Sequence, residues 1–312
     1  MSNKDRTGQG STDAEVGARL MLAVLGLIWG ITWPIMKIAL NEIPPLTMRA
    51  TAAVLGAVTY YLMCVLMRRS LRVPSPKIWA HILVASLLNI VAFSLFSAFA
   101  QMVATTSRVA ILAYTMPIWS TLLAWPFLGE RPNRVQATAL VLCAAGLAIL
   151  IYPLTTNGIP LGIVLALAVG ICWGGGTVYL KWAQIEADQM GVGSWQMTIA
   201  AVILVACMLI FDGGLQFGRA HLDGVLATAW TGIASNGIAY ALWFTIIQRL
   251  PAVTASLGVL ASPVIGVIGS FLILGEVPTA PDMIGFALIF VASACVLLTR
   301  QSTAATAASR GA

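Results

Sequence analysis

The chain has 312 residues, of which 59% are hydrophobic and 9% charged, with a formal net charge of +6. That balance excludes a soluble domain, because it leaves too few polar side chains to cover a water-facing surface. The basic excess needs no nucleic acid to explain it, since loops lying beside anionic lipid headgroups carry the same sign.

A helix crossing the hydrocarbon needs about 20 mostly apolar residues. Residues 1–18 are polar and rich in Gly, Ser and Thr, with no small-residue cleavage site after a short apolar core. They read as a disordered cytoplasmic N-terminus ahead of a retained span, not as a removed signal peptide. Apolar stretches follow near 20–40, 46–67, 79–99, 103–123 and 134–152, the third and fourth parted only by Gln101, Thr105, Thr106, Ser107 and Arg108. After a linker at 153–160, five more lie near 161–182, 194–211, 224–248, 252–273 and 282–299, and the Ala/Ser/Thr-rich C-terminus at 301–312 is expected to be disordered. The expected fold is an all-α integral membrane protein with ten transmembrane helices. Cys64, Cys143, Cys172, Cys207 and Cys295 all fall inside spans, where they act as small packing residues with neither a disulfide framework nor a metal-binding spacing.

The two halves repeat one another. Trp29-Gly30 and Lys37 recur as Trp173-Gly174 and Lys181, and Pro117 with Leu128-Gly129-Glu130-Arg131-Pro132 recurs as Pro263 with Leu274-Gly275-Glu276-Val277-Pro278. Asn89, Phe93 and Phe96 in the third stretch match Asn236, Tyr240 and Trp243 in the eighth at identical offsets. The units are 19–152 and 161–300. An odd number of spans per unit turns the second copy upside down, so two inverted five-helix repeats are expected, with equivalent faces converging on one central cavity. With the N-terminus cytoplasmic, only Lys37, Arg49, Arg108 and Arg219 of the 17 basic residues fall on the outer side, which places both termini in the cytoplasm.

With these residues in this order, the chain resembles the drug/metabolite transporter superfamily, and within it the ten-helix carriers built from two EamA-type repeats. The matching features are Trp29-Gly30, Pro34, Lys37, Pro117 and the Gly129-Glu130-Arg131-Pro132 turn, with their partners in the second half. The resemblance implies a carrier in the bacterial inner membrane, often an exporter of amino acids or related metabolites. It leaves the substrate open.

Candidate substrate-binding residues are Trp33, Lys37, Asn89, Phe93, Phe96, Tyr114, Lys181, Asn236, Tyr240 and Trp243. Each has a plainer alternative. Lys37 and Lys181 either hold a substrate carboxylate or snorkel to headgroups from near a helix end. Arg49 has the same choice, with the interfacial anchor favoured. Asn89 and Asn236 either face a ligand or glue helices together, and the aromatic residues either line a pocket or pack. Pro34, Pro117 and Pro263 leave backbone carbonyls unpaired and are candidate hinges. Glu130 and Glu276 are expected to cap the helices that follow them.

The resulting expectation is a secondary transporter moving an amino acid or related metabolite, in the direction of export, by alternating access. A polyspecific drug exporter or a channel is the alternative. No Asp or Glu sits in mid-span, which points to exchange or facilitated transport rather than proton coupling. His81 and His221 lie at a span entrance and in a loop, and no hydrolase or metalloprotease motif occurs, so enzymatic chemistry is not expected. Nothing calls for a cofactor or a metal. The expected partners are a small-molecule substrate and membrane lipid, without nucleic acid, and a monomer is compatible with the sequence.

Overall fold

A computed structural model describes the backbone of residues 4–154, 160–218, 220–249, 252–292 and 294–295. Side chains are described for most of these from Leu20 onward, those of Pro117, Leu154, Phe244 and 246–261 excepted. The expected C-terminal tail and most of the linker at 153–160 lie outside the described residues.

The helices are α1 (Lys4–Glu42), α2 (Pro45–Leu66), α3 (Pro76–Val103), α4 (Thr106–Leu128), α5 (Arg134–Ile151), α6 (Leu161–Ala183), α7 (Gln189–Phe211), α8 (222–249), α9 (Ala252–Leu274) and α10 (Ala280–Ala292). No strand occurs among the described residues. Among the described residues seven segments are long and apolar enough to cross a membrane, namely Leu20–Glu42 of α1 and all of α2 to α7. The described apolar parts of α9 and α10, Ser262–Leu274 and Ala280–Ala292, are shorter.

Local sequence sets the ends. Pro44 and Pro45 open α2, where the missing N–H has no intrahelical acceptor to lose. Ser75 caps α3 by accepting from the Ile78 N–H, and Asn133 and Gln136 form a reciprocal capping box on α5. Gly129 and Gly275 stop α4 and α9 with φ of 71° and 69°, a left-handed conformation in which a side chain is strained.

Two helices carry π-helical segments, Leu87–Ala92 in α3 and Thr231–Ala239 in α8. They hold the matched residues Asn89 and Asn236. α4 is broken at Tyr114–Thr115, so Pro117 falls in the first turn of the stretch Met116–Leu128 rather than inside a continuous helix. There its missing N–H breaks no bond, and its side chain lies outside the description. Pro34 and Pro263 are inside α1 and α9.

The exterior is apolar and the polar groups are inside, the reverse of a water-soluble protein. Leu66, Val141, Val202, Ile210, Phe211 and Leu272 are exposed, while Arg49, Asn89, Gln101, Gln196 and Asp282 are buried. In the interior α1 packs on α9 and α6 packs on α4. Both contacts run through the Trp-Gly pairs: a Cβ on Gly30 would meet Ile265 Cβ at 2.6 Å, and one on Gly174 would meet the Met116 carbonyl at 2.8 Å. α2 lies against α7 and the π segment of α8, α3 against α6, and α5 against α10 where Gly146 faces Gly285.

The bundle has two ends, each carrying polar contacts between residues before 152 and residues after 160. At one end Glu42 meets His221, Asp212 accepts from Thr47, Glu276 accepts from Thr106 and Ser107, and Arg108 pairs with Asp282. At the other, Arg69 pairs with Asp188, Trp195 Nε1 donates to the Leu71 carbonyl, His81 meets Tyr179, and Lys181 pairs with Glu130.

Candidate functional site

Midway between these ends is a cavity of about 50 Å³ lined by Trp29, Thr32, Trp33, Met36, Arg49, Phe93, Ala113, Tyr114, Met116, Trp173, Thr231, Ser235, Asn236 and Tyr240. That space holds a few water-sized groups. α1 supplies one wall because Trp29, Thr32, Trp33 and Met36 recur at helical spacing. The tryptophans of the duplicated Trp-Gly pairs meet at the centre: Trp29 and Trp173 have ring centroids 6.1 Å apart at 81°. Each glycine brings a neighbouring helix close, and each tryptophan projects inward.

The aromatic wall is continuous. Trp173 contacts Phe93 edge-to-face at 4.8 Å, Phe93 contacts Trp33 at 6.1 Å, and Trp29 contacts Tyr240 at 5.7 Å. Such edge-to-face pairs hold rings in fixed orientations. Polar groups are few. Thr32 Oγ1 accepts from Trp230 Nε1 at 3.1 Å, and Asn236 Nδ2 donates to the Ala52 carbonyl at 3.4 Å. No Asp or Glu is among the lining residues.

Of the ten candidate binding residues, Trp33, Phe93, Tyr114, Asn236 and Tyr240 line the cavity together. The other five do not. Trp243 packs on Trp29 with ring centroids 5.9 Å apart, and Phe96 is half-buried against the hydrophobic core. Asn89 is buried with its side chain pressed against Gly176, and its Oδ1 receives no hydrogen bond. Lys37 lies one turn beyond Trp33, where its Nζ donates to the Gln101 carbonyl at 2.5 Å, while Gln101 Nε2 donates to the Trp33 carbonyl at 3.2 Å. Lys181 is exposed at a bundle end, paired with Glu130.

Arg49 departs from the interfacial placement favoured by the sequence. It is 3% exposed and lines the cavity. Its position five residues into α2 suggests a headgroup anchor, but Met36 of α1 and Ser97 of α3 close over it. Trp29, Thr32, Met36 and Trp173 also line the cavity and are not among the sequence candidates. Trp29 and Trp173 carried the strongest signal, since both belong to the duplicated motif. Glu276 does cap a helix, but it is α4, more than a hundred residues earlier, rather than the helix that follows.

A family model described as the EamA-like transporter family matches residues 17–152 and 160–298, and the chain belongs to that family. It is an integral membrane protein of the transporter class. Among its relatives, an uncharacterized transporter, YoaV, of Bacillus subtilis is 25% identical, the match covering 87% of this chain and 94% of that one. An uncharacterized inner membrane transporter of Escherichia coli, YedA, is 24% identical over 89% of each chain. A probable amino-acid metabolite efflux pump of E. coli K12 is 23% identical over 88% of this chain and 91% of that one. A solved crystal structure, 20% identical, shares the fold with a TM-score of 0.64 over 92% of this chain and 98% of its own.

Proposed function

We propose that the chain is a secondary transporter that carries a small organic solute across the inner membrane by alternating access. In this reading its ten spans form two inverted five-helix repeats, and both termini are cytoplasmic. The observation that carries the reading is the cavity, which lies in mid-bundle and is walled by side chains from both halves of the chain. An apolar, aromatic pocket with a few convergent polar groups is the usual design for a small ligand, and a site between repeats is usual for carriers.

The helix partners support the repeat. Exchanging the first five helices for the second five turns the α1–α9 contact into α6–α4, turns α3–α6 into α8–α1, and leaves α2–α7 unchanged, and all of these contacts occur. The polar contacts at the two bundle ends then act as two gates, each breaking when the cavity opens toward it. With no carboxylate on the cavity wall, exchange or facilitated flux is favoured over proton coupling. The efflux-pump relative supports an amino acid or related metabolite as cargo, moved outward. His81 and His221 are tied up at opposite bundle ends, far from the cavity, which supports a role without covalent chemistry.

The test is counterflow in proteoliposomes loaded in turn with individual amino acids and small organic acids. At least one labelled solute is expected to accumulate transiently, and Phe93→Ala or Tyr240→Ala to slow it while inserting normally. Single-channel currents, or cavity variants that all transport at the wild-type rate, would remove the reading.

A further inference from the structure

A guanidinium keeps its proton inside a protein, and burying it without a counter-charge is strongly unfavourable. Arg49 is in that position. Its Nη2 donates to Ser97 Oγ at 2.6 Å and rests against Met36 Sδ, and its Nε has no acceptor. Ser97 Oγ in turn donates to the Phe93 carbonyl at 2.5 Å, which turns its lone pairs toward the guanidinium. Both partners are neutral. Among the described residues no carboxylate forms an ion pair with Arg49; at the same bundle end Asp223 is exposed, Glu276 caps α4, and the other three acids are engaged elsewhere. Glu42 is with His221, Asp212 with Thr47, and Asp282 with Arg108.

The duplicated sequence supplies an internal control. The register that places Asn89 with Asn236 places Arg49 with Gln196 of α7, which is also buried. Neither this register nor the one set by the starts of α2 and α7, which places Arg49 with Gly193, puts a charge at the matching position of the second half.

We propose that Arg49 is the anion anchor of the cavity and that the solute carries a single carboxylate on a small apolar body. This rests on the solute-cavity reading given above. Among the described residues Arg49 is the one charged side chain lining the cavity, so one negative charge balances it, whereas a phosphate dianion would leave an excess. Trp29, Trp33, Phe93, Trp173 and Tyr240 supply the apolar surround. Aromatic faces alone would suit a cation, but the guanidinium repels a solute bearing only positive charge. A zwitterion remains compatible, with its carboxylate on Arg49 and its ammonium over a ring.

The test compares three solutes with the same branched C4 body: isovalerate, isovaleramide and isopentylamine. Ligand-dependent shifts in thermal unfolding are read on the purified full chain in detergent micelles. Isovalerate is expected to stabilise the wild type at a concentration at least about tenfold lower than isovaleramide, with no effect of the amine. Arg49→Gln should abolish the preference for the acid over the amide, and Arg49→Lys should retain part of it. The unliganded Arg49→Gln chain should unfold no earlier than wild type, because it has lost a buried unpaired charge. A preference for the acid that survives in Arg49→Gln would overturn the proposal. So would an unliganded variant that unfolds well below wild type, which would mark a structural arginine, or no shift with any of the three solutes. Equal binding of acid and amide, both lost in Trp33→Ala, would overturn the anion assignment and leave the cavity reading intact; that reading stands or falls separately on counterflow.

Discussion

The turns that end α4 and α9 are the same device used in two ways. Gly129 and Gly275 adopt nearly equal φ, and the following glutamates donate their N–H groups back to Ala124 and Ser270 carbonyls at 3.2 and 3.3 Å. Yet Glu276 turns its carboxylate into the N-terminus of α4, accepting from the Thr106 N–H at 2.7 Å and from the Ser107 N–H and Oγ at 2.9 Å. Glu130 instead stands in solvent beside Lys181, the two side chains 45% and 63% exposed. The backbone motif follows from the glycine; what the carboxylate does follows from which helix end faces it. At this pair of turns one carboxylate is held by partly buried, charge-assisted bonds, and the other by an exposed pair that water competes for.

The sharpest way to break the comparison is to remove both carboxylates. Glu276→Ala strips three hydrogen bonds from a helix N-terminus and leaves partly buried N–H groups unpaired, for an expected loss of about 2–3 kcal/mol. It should appear as a large drop in the thermal unfolding midpoint in detergent. Glu130→Ala, measured alongside, should barely move it. Equal drops would mean that the two ends are equally locked.

The contrast continues in the π segments. A Cβ on Gly56 would meet Asn236 Cβ at 2.5 Å, while one on Gly176 would overlap the Oδ1 of Asn89, the far end of a side chain. Overpacking costs about 1–3 kcal/mol in general. Gly56→Ala is expected at the upper part of that range and Gly176→Ala at the lower, since a terminal amide can swing away. Asn89→Ala should rescue Gly176→Ala, whereas Asn236→Ala keeps its Cβ and should not rescue Gly56→Ala. A double-mutant cycle with equal rescue in both pairs would show that the α2–α8 contact yields as readily as α3–α6.

Hydropathy alone locates the long helices, because lipid leaves no other state for runs of this kind. The duplicated turns and the face carrying Trp29 and Trp33 are equally readable, being local in sequence. Arg49 is not, because its burial depends on Ser97 and Met36, which no spacing rule brings to it. The π segments escape for a different reason: an i→i+5 turn leaves composition unchanged while rotating every later side chain. Asn89 and Asn236 match in sequence and both lie in π segments, yet Asn89 lies against Gly176 and Asn236 lines the cavity. Pro117 looks like a kink within a helix, but the break at Tyr114–Thr115 precedes it.

At the Glu130 end, Asp188 sharpens the comparison through pH. Burial raises its pKa, but hydrogen bonds from Arg69 and from the Met190 and Ser70 N–H groups outweigh this and hold it below the usual carboxylate range. A carboxylate with a depressed folded pKa adds stability above its unfolded pKa, near 4, and that stability is lost as pH falls through the folded value. Unfolding midpoints followed downward from pH 6 should show an acid-dependent loss on the order of 1 kcal/mol that Asp188→Asn lacks. Parallel acid limbs for the two proteins would remove Asp188 as a latch.

Lys181→Ala should have the smallest effect on stability, below about 0.5 kcal/mol, because an exposed pair gains little over hydration and is screened by salt. If this end opens more readily than the Glu276 end, releasing Lys181 from Glu130 lowers a barrier without removing packing. Counterflow would then be unchanged or modestly faster, and the difference from wild type would fade as ionic strength rises. Lys181 stands in the register of Lys37, which is half-buried and bonded to a backbone carbonyl instead of a carboxylate. Lys37→Ala should accordingly be insensitive to salt. A salt-dependent change in Lys37→Ala, with none in Lys181→Ala, would reverse the assignment of the looser end.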